Sequence, residues 1–164
     1  MPHAPHNGEA ADNSQLIDDF GLRIGRAMGW PPMAGRLAGI LMLSPAPMTL
    51  SELQQALGAS KGSASEMTRL LMTHGTVDRI KLPGVRQAVY EWRDDAWVGC
   101  LQYQLDQTTQ LLDLARTAHD RGSHLPSAQQ TRLLDMRTFY EFMVEQLRQL
   151  LGDYKRQLRT HDSR

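Results

Sequence analysis

The sequence predicts a mainly α-helical chain in which a short, tightly punctuated unit with one small β-hairpin lies between longer helices. Three observations carry this expectation. Apolar residues recur at three- and four-residue steps over most of the 164 positions. Between residues 44 and 93 that period breaks into short pieces set off by Gly and Pro, the last two rich in β-branched and aromatic residues. Near the C-terminus a 3-4 repeat is sustained long enough to form a heptad seam.

Taken in order, residues 1–12 are polar and aperiodic and read as a mobile, disordered tail. Asn13 or Ser14 is expected to cap a helix reaching about Met28, with Leu16, Ile17, Phe20, Ile24 and Met28 on one stripe and Gly29 as its stop. Gly21, Gly25 and Gly29 recur at four-residue steps, which suits close helix packing better than phosphate binding. Pro31-Pro32 opens a second helix to about Leu43, with Met33, Leu37, Ile40 and Leu41 inward. Ser44-Pro45-Ala46-Pro47 breaks the chain.

Thr49-Leu50-Ser51-Glu52 has the form of a capping box, in which hydroxyl and carboxylate satisfy free backbone N–H groups at a helix start. It opens a short helix with Leu50, Leu53, Ala56 and Leu57 on one side, ended by Gly58. Ser60 caps the next helix, 61–74, and Gly75 closes it. Segments 77–81 and 87–92 read as strands around a Pro83-Gly84 turn. The next helix carries Trp97, Leu101, Leu105, Thr108, Leu112 and Ala115 on one face and ends near His119. After a loop at 121–126, Ser127 caps a long helix to about Leu158. Its seam is Leu133, Met136, Tyr140, Met143, Leu147, Leu150 and Tyr154, widened by Phe139, Val144 and Leu151. A helix of about 30 residues spans roughly 45 Å, which outruns a small core. The chain's own first and fifth helices and a second copy are both expected to cover it.

Composition narrows the function. With 41% hydrophobic and 22% charged residues, wholesale disorder is excluded. The single cysteine, Cys100, excludes an intramolecular disulfide framework and fits a reducing cytoplasm. No apolar run approaches the roughly 20 residues of a membrane span, and the N-terminus has neither the basic start nor the apolar stretch of a secretion signal. A cytoplasmic protein without membrane contact is expected. The six histidines, His3, His6, His74, His119, His124 and His161, lack metal-ligand spacing. No GxSxG elbow, P-loop or Rossmann glycine pattern occurs. No enzyme activity, metal or cofactor is therefore expected.

Eighteen basic residues balance eighteen acidic ones, so bulk charge makes no case for nucleic acid. Segment 61–86 is the exception. Lys61, Arg69, Arg79, Lys81 and Arg86 oppose only Glu66 and Asp78. A helix, a Gly turn and a second helix followed by a basic hairpin make a winged helix-turn-helix, whose second helix enters the major groove of double-stranded DNA. Ala64, Met67, Thr68 and Leu71 are expected to face the core. The expected DNA-binding set is Ser60, Lys61, Gly62, Ser63, Ser65, Glu66 and Arg69, joined by Arg79, Lys81 and Arg86 on the hairpin. Short side chains and free N–H groups at a helix start suit phosphate oxygens. An Arg-tipped wing suits the negative potential of a narrow minor groove.

These residues also resemble a known family. The runs Leu41-Met42-Leu43-Ser44, Met48-Thr49-Leu50-Ser51-Glu52-Leu53, Ala56-Leu57-Gly58-Ala59-Ser60-Lys61-Gly62-Ser63-Ala64-Ser65 and Leu82-Pro83-Gly84-Val85-Arg86 look like the GbsR-like branch of the MarR superfamily. The preceding Met28-Gly29-Trp30-Pro31-Pro32-Met33-Ala34-Gly35-Arg36 is similar too. The resemblance implies a homodimeric, cytoplasmic winged-helix regulator of transcription acting on a palindromic operator, often answering to a small molecule. Three residues depart from it: Glu66 stands where such recognition helices often carry Arg, Val85 replaces a commonly acidic wing residue, and Gln87 replaces a second Arg.

The expected organisation is thus a tail at 1–12, N-terminal core and dimerisation helices at 13–43, a DNA-binding unit at 44–93 and C-terminal dimerisation helices at 94–164. An effector, where one acts, is expected in the seam between the dimerisation helices and the DNA-reading unit. Trp30, Trp92, Trp97 and Tyr103 are the candidate ligand residues, as an aromatic cage for a quaternary ammonium or, equally, as packing between parts of the fold. Two rivals remain: a winged helix that binds a protein partner in place of DNA, favoured by the zero net charge, and a redox or metal sensor of the same fold, for which Cys100 is the candidate thiol.

Overall fold

A computed structural model describes the backbone of residues 7–162 and the side chains of residues 13–161. The chain forms two compact units, Met1–Ala96 and Trp97–Arg164. Six helices and three short strands run in the order α1 (Asn7–Met28), α2 (Pro32–Leu43), β1 (Met48–Thr49), α3 (Leu50–Leu57), α4 (Lys61–Thr73), β2 (Val77–Ile80), β3 (Val89–Trp92), α5 (Ala96–Arg121) and α6 (Ser127–Asp162). No helix among the described residues is long and apolar enough to cross a membrane.

In the first unit α1 and α2 form a hairpin whose closeness is written in glycines. A methyl group at Gly35 would stand 2.7 Å from the Phe20 carbonyl oxygen and 3.0 Å from Gly21 Cα, and one at Gly39 would press on the Phe20 ring. The side chain of Arg36 lies over Gly21 and pairs with Asp18 at 3.2 Å. Gly21 and Gly25 are packing glycines, as expected, whereas a Cβ at Gly29 would meet nothing within 4 Å. Gly29 takes φ +67° to end α1, and Trp30 N–H donates back to the Gly25 carbonyl at 2.8 Å. Helix α1 is described from Asn7, six residues before the expected cap, because 7–12 carry good helix formers (Glu9, Ala10, Ala11) and no breaker after Gly8. The expected tail lies outside the described residues at 1–6.

Helix α2 is buried almost all round, which explains its nearly unbroken apolar sequence. Ala34, Leu37, Ala38 and Leu41 meet Leu53 and Leu57 of α3, Ala64, Met67 and Leu71 of α4, and Val77 and Tyr90 of the sheet. Ala56 is exposed, so the apolar side of α3 is narrower than its sequence suggests. The two expected strands are present but shorter, and a third joins them. The sheet order is β1-β3-β2, all antiparallel, with Met48 opposite Tyr90 and Arg79 opposite Tyr90 on the other side.

In the second unit α5 buries Thr108, Leu112 and Ala115, and α6 buries Val144, Leu147 and Leu151. The loop between them is fixed by Gln130, whose Nε2 donates to the carbonyls of Ser123 and Leu125. Arg116 and Arg137 converge on Glu141, whose carboxyl is held below its usual range chiefly by the hydrogen bond from Arg137. The covered stripe of α6 shares Leu133, Tyr140, Leu147 and Tyr154 with the expected seam, but its alternate members are Val144 and Leu151, not Met143 and Leu150. Phe139 and Leu150 are about half exposed and Phe142 more so. With Met143 they form a second apolar flank, about 100° around the helix from the covered one at 3.6 residues per turn.

Candidate nucleic-acid interface

Gly58 makes the turn between α3 and α4. It adopts φ +62°, a conformation that only glycine enters without strain, and it has open space where a Cβ would stand. Helix α4 then starts on Ser60, whose Oγ accepts the Ser63 N–H at 3.1 Å and lies 2.9 Å from Ser63 Oγ. The helix divides by face as its sequence predicts. Ala64, Met67, Thr68 and Leu71 are buried. Lys61, Gly62, Glu66 and Arg69 are exposed, while Ser63 and Ser65 are half-buried. Ser60 and Ser63 are partly committed to the cap, which leaves Lys61, Glu66 and Arg69 as the freest groups on this face.

On the hairpin Arg79, Lys81 and Arg86 are all exposed. The tip is closed by Val85 N–H donating to the Leu82 carbonyl at 3.2 Å, with Gly84 at φ +76°. Among the described residues none of the five cations, Lys61, Arg69, Arg79, Lys81 or Arg86, is held in an ion pair. Arg93 at the base of the hairpin contrasts with them: it binds both oxygens of Asp95 at 2.8 and 3.0 Å and lies 3.8 Å from Asp78. Asp78 thus subtracts less from the positive field of the hairpin than its formal charge implies.

Two contacts here had no sequence signal. Ser51 Oγ donates to Gln87 Oε1 at 2.9 Å, joining the first turn of α3 to the returning side of the hairpin. Trp30 Nε1 donates to His74 Nδ1 at 3.2 Å, with the rings edge to face at 5.2 Å. This second bond ties the α1–α2 link to the C-cap of α4. It also fixes Nδ1 of His74 as an acceptor, so the neutral ring carries its proton on Nε2. Burial pushes the His74 imidazole below its ordinary value. A histidine whose native pKa is depressed binds fewer protons folded than unfolded, so stability is present at neutral pH and declines as pH falls from about 6.5 through the lowered value. His74→Asn keeps an acceptor near the position of Nδ1 and cannot be protonated. Melting temperatures measured from pH 7.5 to 5 are expected to fall more steeply for the wild type than for this variant.

Of the aromatic candidates, Trp30 is 6% exposed and belongs to the core of the first unit, with its N–H on His74. Trp92 is half-buried against the same core. Trp97 and Tyr103 lie on α5 in the second unit, the first exposed and the second half-buried. Burial raises the thiol pKa of Cys100, which disfavours the reactive thiolate. Among the described residues no group of three His, Cys, Asp or Glu side chains is placed to hold a metal ion.

Residues 95–157 match the model of the MmpR5-like MarR family of transcriptional regulators, and residues 39–80 match the IclR helix-turn-helix domain. The HTH-type transcriptional regulator MmpR5 of Mycobacterium tuberculosis is 28% identical over 131 residues, covering 79% of each protein. The chain is similar to HTH-type transcriptional regulators, and over its C-terminal part to those of the MarR family. The HTH-type transcriptional repressor OpcR of Bacillus subtilis is 36% identical over 67 residues, which are 41% of this chain and 36% of that protein. A crystal structure described as that of a transcriptional regulator superposes on 88% of this chain and 99% of its own, with a TM-score of 0.81 at 26% identity. MmpR5 and OpcR are both named as HTH-type regulators of transcription.

Proposed function

We propose that this regulator binds an inverted-repeat DNA site as a homodimer in the cytoplasm, with α4 of each copy in a major groove and the hairpin in the adjacent minor groove. The observation that carries the reading is the set of five exposed cations on one helix-turn-helix and its hairpin, none in an ion pair among the described residues, in a chain of zero net charge. Lys61 and Arg69 supply charge and base contact from α4. Ser60, Gly62, Ser63 and Ser65 let a phosphate approach the helix start. Glu66 is an acceptor suited to the cytosine amino group. Arg79, Lys81 and Arg86 serve the wing. The open apolar flank of α6 supports the second copy. The motifs at 41–65 and 82–86 support the GbsR-like branch as the finer reading of its kinship. Ligand response is the finer part of this reading, and an unchanged Trp fluorescence on titration with choline or betaine removes it.

Selection of bound fragments from random genomic DNA is expected to return an inverted repeat. In gel shifts affinity falls with salt, and Arg86→Ala weakens all sequences alike while lowering the log–log salt slope by about one. A flat salt response overturns the reading in favour of a protein partner.

A further inference from the structure

The hairpin leaves the helix-turn-helix at Ile80 and returns to it at residues 87–88. On the return both residues are held by α3: Leu50 N–H donates to the Ala88 carbonyl at 3.1 Å, and Ser51 Oγ donates to Gln87 Oε1. Thr49, just before them, is locked in the capping box with Glu52 and paired with Val89. The chain is therefore anchored immediately after Arg86, while residues 81–87 are exposed. The Ser51 bond also sets which way the Gln87 amide faces. Its oxygen is taken, so the Nε2 amino group, with two N–H donors, is turned away from α3, and among the described residues nothing accepts from it. It stands next to Arg86 and carries no charge.

We propose that Gln87, positioned by Ser51, is a specificity-determining DNA contact of the wing. Its amide donates to the minor-groove acceptors of an A·T pair, adenine N3 or thymine O2. A G·C pair places the guanine 2-amino donor in the same groove, where it opposes another donor. Arg86 responds to the field of the groove, whereas Gln87 reads one chemical group in it. The inference rests on the wing occupying the minor groove.

The test uses the full-length protein and a duplex taken from the genomic selection. The base pairs flanking each half-site are made A·T, G·C or inosine·C in turn, since inosine·C lacks the 2-amino group. Wild type is expected to bind A·T and inosine·C alike and G·C about three- to tenfold more weakly, the scale of one hydrogen bond. Gln87→Ala flattens this ratio without changing the salt slope. Ser51→Ala weakens the ratio while Ser51→Thr, which keeps the hydroxyl, restores it, all at unchanged melting temperature. A ratio that persists in Gln87→Ala, or a wild type indifferent to the 2-amino group, overturns the proposal. If Arg86→Ala also leaves affinity and salt slope untouched, the wing reading itself has failed. If Arg86→Ala weakens binding as expected, only the role of Gln87 has.

Discussion

Replacing Phe139 and Leu150 together with glutamate is expected to yield a folded monomer whose operator affinity is lower by about a hundredfold or more. Both side chains are about half exposed and share one flank of α6, so their loss removes little from the fold of a single copy. In the proposed dimer, four charges across an interface between apolar flanks would have no partners and would have to be desolvated for the copies to meet. Two reading heads joined in one particle gain roughly 10²–10⁴ in avidity over one head, and a monomer forfeits that gain. Leu134→Glu is the matched control, since Leu134 is 48% exposed but lies away from the Phe139–Leu150 flank. Light scattering and gel shifts on the three proteins decide the matter. A double variant that stays dimeric places the interface elsewhere.

Gly35→Val is expected to be the most damaging single change to the first unit. Adding one methyl already brings a carbon within 2.7 Å of the Phe20 carbonyl, and a branched side chain adds two more. The obstacle is backbone, which cannot swing aside as a flexible side chain does. Helices α1 and α2 must part, and α2 carries the core on which α3 and α4 rest. Overpacking of this kind costs about 2–3 kcal/mol, or roughly 5–10 °C in melting temperature for a chain of this length. Gly62→Ala is the contrast: its new methyl meets only Ser60 Oγ, at 3.9 Å, and better helix propensity holds the melting temperature level or raises it.

The winged unit was legible in the sequence because each of its joints is a local chemical event. Thr49 and Glu52 form the capping box, Gly58 takes the left-handed turn, Ser60 caps α4, and the buried face of α4 consists of the four residues its period indicates. Strand β1 was not legible. Two residues, Met48 and Thr49, have no period, and they pair only because Val89 and Tyr90 arrive from forty residues away. The register of α6 was legible in part. Met143 and Val144, or Leu150 and Leu151, are adjacent apolar residues that support two heptad phases, and the choice between them is made by tertiary packing, which buries Val144 and Leu151. In the candidate site, the charges and the cap could be read from spacing. The bonds Ser51–Gln87 and Trp30–His74 could not, because they join polar or aromatic residues 36 and 44 positions apart that carry no period.

The strand order β1-β3-β2 has a bearing on how such a wing survives in solution. Its outer members are a two-residue strand and a strand bearing Asp78 and Arg79, with Lys81 just beyond. Open strand edges recruit other chains, and brevity and charge are the ordinary protections against that. The same arginine and lysine that favour a polyanion make the edge repel a second wing, so an open strand edge here does not invite edge-to-edge pairing between copies.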